Sequence, residues 1–552
     1  MTKWKKGISV LLATVCALGL LSGCDFQKKS GSKELYSIKL PETVKSVDDP
    51  EGYINLQNFI AQAQNQEPCM DGIIQCPWYE VKVNGKAVYS YSVPMLQSEL
   101  HSFAYIDATE DVFPMQVEIK ASYDVTEALV IPEKFGVETE VDPETDTVRF
   151  TVNSCDDYNV LFNRSDEEGE EMFFSMDRPY SLFIREPIEK EVPDGYKLIE
   201  FKPGLHYVTK YALESNTYVY MHPGAYIVCI QPDELGEENW DANDGMRNWK
   251  PLFGGDNKEN IIIEGHGVID FSNLTWRARH PIYFTQSKNI EVNGVSFINA
   301  PAWHMVFHGC NNVKVDDVVL FGYRTNSDGI AICDTSNAIV TNSWIRSGDD
   351  LFEVKSYDDY GADVTENIVW RHNQAWAEKT RSFGFIQESE IPARNILYED
   401  CSSLSQTAVW EEAMGAFLII VGDASSVSNV RFVNCDSYYC RGYVINLSAG
   451  FNQWSFCGTE DSYVQGTIHD VTFENFKYYS GGLGWKIRNQ GTPENFYNIT
   501  FKNIYEDGKL KTSLDDVKIN FAKTVTKESL AENFSKIPTN WLGEMKLLYD
   551  AE

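Results

Sequence analysis

A repeat governs the second half of the chain and restricts the folds open to it. From about residue 193 onward a polar residue, usually Asn, leads a short β-rich run that is followed by Asn, Asp or Gly. The leads are Asn260 (NIIIEGHGVI), Asn289 (NIEVNGVSFI), Asn312, Asn337, Asn367, Asn395, Asn429, Asp470 and Asn498. Their spacings are 29, 23, 25, 30, 28, 34, 41 and 28 residues. A short minimum with variable excess is the pattern of a solenoid coil that carries loop insertions. In such a coil each strand pairs in parallel with the strand one coil earlier, roughly 4.8 Å away. The Leu-x-x-Leu-x-Leu pattern of leucine-rich repeats is missing, and propeller blades would be longer. The fold class expected is all-β, with a parallel β-helix over residues 181–524 whose first coil or two comes from residues 204–227. The tail, residues 525–552, reads as helix-like and is expected to cap an end that would otherwise present open strand edges.

The chain has 552 residues, too many for one ordinary core, so a separate N-terminal domain is expected. Residues 51–180 are strand-rich without a repeat. Residues 79–88 alternate around Asn84-Gly85, a strong hairpin signal. Residues 115–119 and 148–152 alternate as well. A compact antiparallel β-sandwich is the expectation, with the acidic stretch 166–171 as a solvated loop.

The first residues read as a targeting segment. Lys3, Lys5 and Lys6 precede an apolar run, residues 8–21, that is too short to span a bilayer. The run ends in Leu21-Ser22-Gly23-Cys24, which resembles the lipobox of bacterial lipoproteins, so residues 1–23 are expected to be a signal peptide and Cys24 the lipidated residue. Residues 24–50 are expected to be a polar tether. This implies an exported, soluble body held at a bacterial membrane through a lipid anchor. Twelve cysteines occur without a CxxC pair, so a zinc or redox site has little support. Cys69 with Cys76, and Cys435 with Cys440 or Cys457, are possible bridges, while Cys310, Cys333 and Cys401 sit at strand positions typical of small core residues.

Three acids stand out. Asp328 lies in Asn326-Ser327-Asp328-Gly329-Ile330, and Asp349 and Asp350 follow 21 and 22 residues later. That is close to one coil, so the three carboxylates should converge. Consecutive aspartates cannot both point outward from a regular strand, which places the pair at a turn. Crowded acids raise at least one pKa, so one carboxyl can stay protonated near neutral pH. Glycoside cleavage needs this arrangement: one acid for the leaving oxygen and one base for water. The same trio could instead bind calcium or merely occupy turns.

The ordered motifs around these acids add a resemblance. The stretches 275–281 (TWRARHP) and 299–310 (NAPAWHMVFHGC), then Asn326-Ser327-Asp328-Gly329-Ile330 and residues 348–356 (GDDLFEVKS), look like the polygalacturonase family, glycoside hydrolase family 28. Residues 263–270 (IEGHGVID) match its Gly-x-Gly-x-Ile-Asp coil. The resemblance implies a right-handed, pectin-lyase-like β-helix and an inverting hydrolase, with Asp349 as general acid and Asp328 and Asp350 activating water. That family has a Gly-His-Gly about one coil after its aspartate pair. Residues 376–385 here contain no histidine, and Arg381 and Lys379 are the closest residues by position. The dextranase and isopullulanase family, glycoside hydrolase family 49, is similar in having an N-terminal β-sandwich, three aspartates and no such histidine.

Further substrate-contact candidates are Lys355, Arg381, Lys379, Asn326, His308 and Trp376, the last as a flat platform one coil past the aspartates. Trp240, Trp249, Trp276, Trp303 and Trp410 are platform alternatives. For His304 and His308 a structural role competes, for Lys355 an ordinary surface position, and for Arg381 and Lys379 pairing with Glu378 or Glu388. The formal net charge of −34 repels nucleic acid and anionic membrane surfaces, and gives a weak argument against a polyanionic substrate. The expected protein is a monomer without cofactor or metal that acts on a pectic galacturonide or an α-glucan. A β-helix lyase or epimerase and a non-catalytic carbohydrate binder are the alternatives.

Overall fold

The structure, a computed structural model, describes residues 35–53, 72–95, 100–163, 178–230, 251–407, 414–479, 481–523 and 537–550. The signal peptide, Cys24, Cys69, the acidic stretch 166–171, and Trp240, Trp249 and Trp410 lie outside these residues.

The N-terminal part is a two-sheet sandwich. Tyr79–Val83 and Lys86–Ala87 form the expected hairpin. Asn84 and Gly85 both take positive φ (49° and 74°), as a two-residue turn that follows strand twist requires. Met115–Ala121, Thr147–Val152 and Thr139–Asp142 complete that sheet with antiparallel pairing. The second sheet departs from the fully antiparallel expectation, because Tyr180–Arg185 runs parallel to Leu100–Ala108.

Leu100–Ala108 is buried at every position, because both of its faces are covered. Ala104 and Ile106 enter the sandwich core. Phe103 and Tyr105 point the other way, and with Phe183 they pack on Phe321, Trp344 and Trp376 of the second domain. The sandwich therefore docks on the repeat through an apolar sheet face.

The second domain is a parallel β-helix. A coil contains three strands, for example Lys288–Asn293, Ser296–Ile298 and Met305–His308. Each pairs in parallel with its counterpart on the next coil, in registers such as Ile290↔Val313, Ser296↔Val319 and Met305↔Ile330. All nine repeat leads have φ between 50° and 60°. Asn tolerates this left-handed bend better than other side-chain-bearing residues, which explains the repeat. The bends are also cross-linked: the side-chain amide of Asn289 donates to Asn260 (2.9 Å), Asn312 to Asn289 (2.7 Å) and Asn429 to Asn395 (2.8 Å). Asn216, with φ 59°, accepts from Asn260 (2.8 Å) and carries the ladder one coil earlier than the repeat suggests. Inside, aromatic rings stack coil on coil, as Phe352, Phe383 and Phe417 do.

Three boundaries differ from expectation. Leu35–Ser37 pairs with Leu100–Ala108, and Ile38, Leu40 and Val44 are buried, so residues 35–50 belong to the sandwich rather than to a tether. Tyr180–Arg185 also belongs to the sandwich, and the β-helix starts at Lys197–Phe201. Of the tail, residues 524–536 lie outside the described residues, and in the rest Met545–Leu548 is a strand that extends the sheet beside Ile499–Lys502. The cysteines proposed as bridging within 435–457 are free thiols, and Cys435 and Cys440 are buried.

A charged clamp adds to the apolar docking. His372 of the β-helix contacts Asp400 (2.6 Å) and, across the interface, Asp156 (3.0 Å). Hydrogen bonds donated first to Asp156 and then to Asp400 push the imidazole pKa up to about 10. A pKa raised on folding stabilises fully below the ordinary value near 6.5 and is lost as pH rises through about 10. Thermal unfolding of the intact protein should therefore show a decline in Tm between pH 7 and 10 that is shallower in His372→Gln. Parallel curves would remove the clamp from the stability account.

Candidate active site

The aspartates meet where the third strand of consecutive coils begins. Ile330 is in register with Phe352, and Phe352 with Phe383. Asp328, Asp350 and Arg381 each sit two residues before those positions, so they occupy one column. The Gly329 N–H donates to the Asp350 carbonyl (2.7 Å), which holds the column in step. Asp349 occupies the turn between Trp344–Ser347 and Phe352–Ser356, as expected for an aspartate pair. The motif glycines serve packing: a Cβ on Gly329 would lie 2.4 Å from the Leu351 carbonyl oxygen, and one on Gly348 2.9 Å from that of Tyr323.

One carboxylate oxygen from each of Asp328, Asp349 and Asp350 lies within 4.8 Å of the others. Their surroundings differ. Asp350 is buried and both its oxygens accept from Arg381 Nη1 (2.9 and 2.7 Å). Asp328 is buried and its Oδ1 has no hydrogen-bond partner among the described residues. Asp349 alone of the three is partly exposed, and its Oδ2 accepts from the Asn326 N–H (2.8 Å). Burial, then Asp350, pushes the Asp349 pKa up to about 6. Burial, then Asp349, Glu353 and Asp350, holds Asp328 well above the usual carboxylate range. Asp328 and Asp349 influence each other's titration, and raised carboxyls of this kind hold a proton closer to neutrality than free ones do.

The other sequence candidates separate. Arg381 is in the site, paired with Asp350. Lys379 is partly exposed beside Asp349, and burial lowers its pKa. Asn326 contributes its backbone N–H to Asp349, while its side-chain oxygen accepts from Arg277 Nη2 (3.1 Å). Lys355 is not a surface contact. It is 3% exposed, lies 4.8 Å from the Trp303 ring centroid, and bridges Glu353 (3.3 Å) and Glu388 (2.9 Å). His308 is also structural, buried against Asp334 (2.9 Å). Trp376 is not a sugar platform: it is 1% exposed and packs against His101 in the interface, because its strand faces the sandwich.

Four residues had no site role in the sequence reading. Arg277 stacks on Trp276 (4.2 Å) and reaches the Asn326 loop. Glu353, inside the Gly-Asp-Asp motif segment, is fully buried beside Lys355 and is held above the ordinary carboxylate range by burial. Arg346 and Glu378 form a buried ion pair (2.5 Å) next to the two turns. The Arg277 signal was available as the arginine after Trp276 in the stretch 275–281. The other pairings depend on which faces the sandwich and outer loops cover.

Residues 252–524 match the family model described as Glycosyl hydrolases family 28. Over that stretch, about half of the chain, the β-helix is similar to glycosyl hydrolases of family 28. It is 25% identical over 135 residues to the polygalacturonase QRT2 of Arabidopsis thaliana, covering 22% of this chain and 31% of that protein. It is 25% identical over 287 residues to an exopolygalacturonase of Zea mays, covering 49% of this chain and 64% of that protein. Thus the match spans less than two thirds of either relative. Among solved structures, Dex49A from Penicillium minioluteum aligns with a TM-score of 0.50 at 11% identity, covering 82% of this chain and 91% of that chain. That alignment shows a shared fold and extends well beyond the stretch matched by the family 28 domain.

Proposed function

We propose that the protein is an inverting glycoside hydrolase that cleaves a pectic galacturonide or an α-glucan, held at a bacterial membrane through lipidated Cys24. The observation that carries the catalytic reading is the trio itself: three carboxylates within 4.8 Å, of which only Asp349 reaches solvent. A general acid must touch the glycosidic oxygen and hold a proton, and Asp349 meets both requirements with a pKa of about 6. Asp328 and Asp350, stacked on neighbouring coils, share a water and aim it at the anomeric carbon. Arg381 fixes the Asp350 carboxylate and offsets its charge.

The same acids suit an oxygen-ligated cation, as a lyase would use. Arg381 speaks against that use, since it already occupies both oxygens of Asp350. One observation favours a second outcome within the hydrolase reading. Inverting pairs usually lie roughly 6.5–9.5 Å apart and retaining pairs about 5–5.5 Å, and the oxygens here lie within 4.8 Å. Inversion is preferred because three mutually close carboxylates enclose a water rather than stand on opposite sides of a sugar ring.

The test is reducing-end release by the mature protein on polygalacturonate, rhamnogalacturonan, dextran and pullulan. Release from one of them, without ultraviolet absorbance from an unsaturated product, is the expected result. Absorbance growing with cleavage would replace the hydrolase by a lyase. Affinity without release, unchanged in Asp349→Asn, would leave a binding protein.

A further inference from the structure

The apolar contact between the domains surrounds a polar chain that apolar docking does not need. Arg346 Nη1 contacts His101 Nδ1 on the sandwich (2.6 Å). A guanidinium only donates, so Nδ1 accepts and the imidazole proton sits on Nε2. That N–H donates to Ser181 Oγ (2.8 Å), whose hydroxyl donates to Asn159 Oδ1 (2.7 Å). Asn159 also accepts from Trp344 Nε1 (2.9 Å) and donates to Gln374 Oε1 (2.8 Å). His101, Ser181, Asn159 and Trp344 have no exposed surface, and Arg346 has 1%. Burial, then Arg346, lowers the His101 pKa well below its usual value, in keeping with a neutral ring.

The helix side of this chain ends at the site. Arg346 lies three residues before Asp349, and its ion-pair partner Glu378 lies three residues before Arg381, which holds Asp350. The Glu378 N–H donates to the Ser347 carbonyl (2.9 Å), tying the two turns together. Ser347 Oγ also contacts Ser327 Oγ (2.8 Å), beside Asp328. A buried ion pair gives little net stability, but a fully bonded polar network fixes one geometry.

We propose that His101 is a positioning residue for the aspartate trio, fixing through Arg346 and Glu378 the two turns that present Asp349, Asp350 and Arg381. The N-terminal sandwich is then part of the catalytic apparatus. The inference rests on the catalytic reading of the trio. His101→Leu removes the acceptor for Arg346, and Ser181→Ala removes one oxygen from the chain while leaving the apolar packing in place.

The experiment measures kcat, KM, the pH profile and Tm of the full chain on polygalacturonate, or on dextran where that is the polymer turned over. Misplacing reacting groups by about 1 Å can cost about 100-fold in rate, so His101→Leu should lower kcat roughly 10- to 100-fold with KM little changed. Ser181→Ala should lower it in the same direction. The charged groups around Asp349, namely Asp328, Asp350, Glu353, Lys355, Lys379 and Arg381, are untouched in both variants. A loosened turn admits water and relieves the burial that raises Asp349, so the alkaline limb of kcat should move below pH 6. A purely structural role would lower Tm and leave kcat per folded molecule and the limb unchanged. Either variant, folded and with wild-type kcat and limb, overturns the proposal; if His101→Leu does not fold, Ser181→Ala decides it. Asp349→Asn is run in parallel. If it keeps wild-type turnover, the catalytic reading has failed. If it is inactive while the folded variants match wild type, only the positioning role has failed.

Discussion

Replacing Asp349 with Asn is expected to lower kcat by about 10²–10⁴-fold, the usual contribution of a positioned proton donor or acceptor. Asn keeps the size of the side chain and can still accept from the Asn326 N–H. The loss should fall on kcat rather than KM, since substrate contacts remain. Stability should move the other way. The folded pKa of Asp349 is raised to about 6, above the unfolded value near 3.8, so its ionised form destabilises the native state above that range. At pH 7 Asp349→Asn should therefore unfold at the same or higher temperature than wild type. A drop in kcat accompanied by a drop in Tm would point to damage rather than to a missing acid. In the wild type, activity should decline as pH rises through about 6, where Asp349 loses its proton.

The second large effect concerns Arg381. Arg381 and Asp350 are each 4% exposed, and one guanidinium nitrogen serves both carboxylate oxygens. Arg381→Met should destabilise the protein by about 3–5 kcal/mol, the penalty for leaving a buried charge without its partner. Adding Asp350→Asn removes that charge and should recover most of the loss, because neutral replacement of a buried pair is often tolerated. Activity should not return, since Asp350 is assigned to the water. Chemical denaturation of the two single variants and the double variant measures the coupling. Additive losses would show that Arg381 and Asp350 do not depend on each other.

The sequence carried the fold unevenly. The coil repeat was legible because a left-handed bend selects Asn once per turn, and nine such bends leave a pattern in one dimension. The convergence of Asp328 with Asp349 and Asp350 was legible for the same reason, since residues one coil apart stack. Trp376 misled because its spacing places it beside the aspartates, while its strand turns it toward the sandwich. Nothing local to residue 376 states which outer face another domain will cover. Lys355 and His308 misled similarly: their partners, Glu388 and Asp334, come from neighbouring coils and close over them. The start of the sandwich was hidden because residues 35–50 are polar overall, with only Ile38, Leu40 and Val44 turned inward. Those three side chains, spaced irregularly, do not make a strand period.

The central claim is that the trio hydrolyses a glycosidic bond by a single displacement with Asp349 as the acid. Proton NMR of the first product formed by the wild-type protein on its polymer tests this most directly, because the anomeric signal appears before mutarotation. The account predicts a new reducing end whose first anomer is opposite in configuration to the bond cleaved. A first anomer of the same configuration would contradict the single displacement, and vinylic signals from an unsaturated sugar would contradict hydrolysis itself.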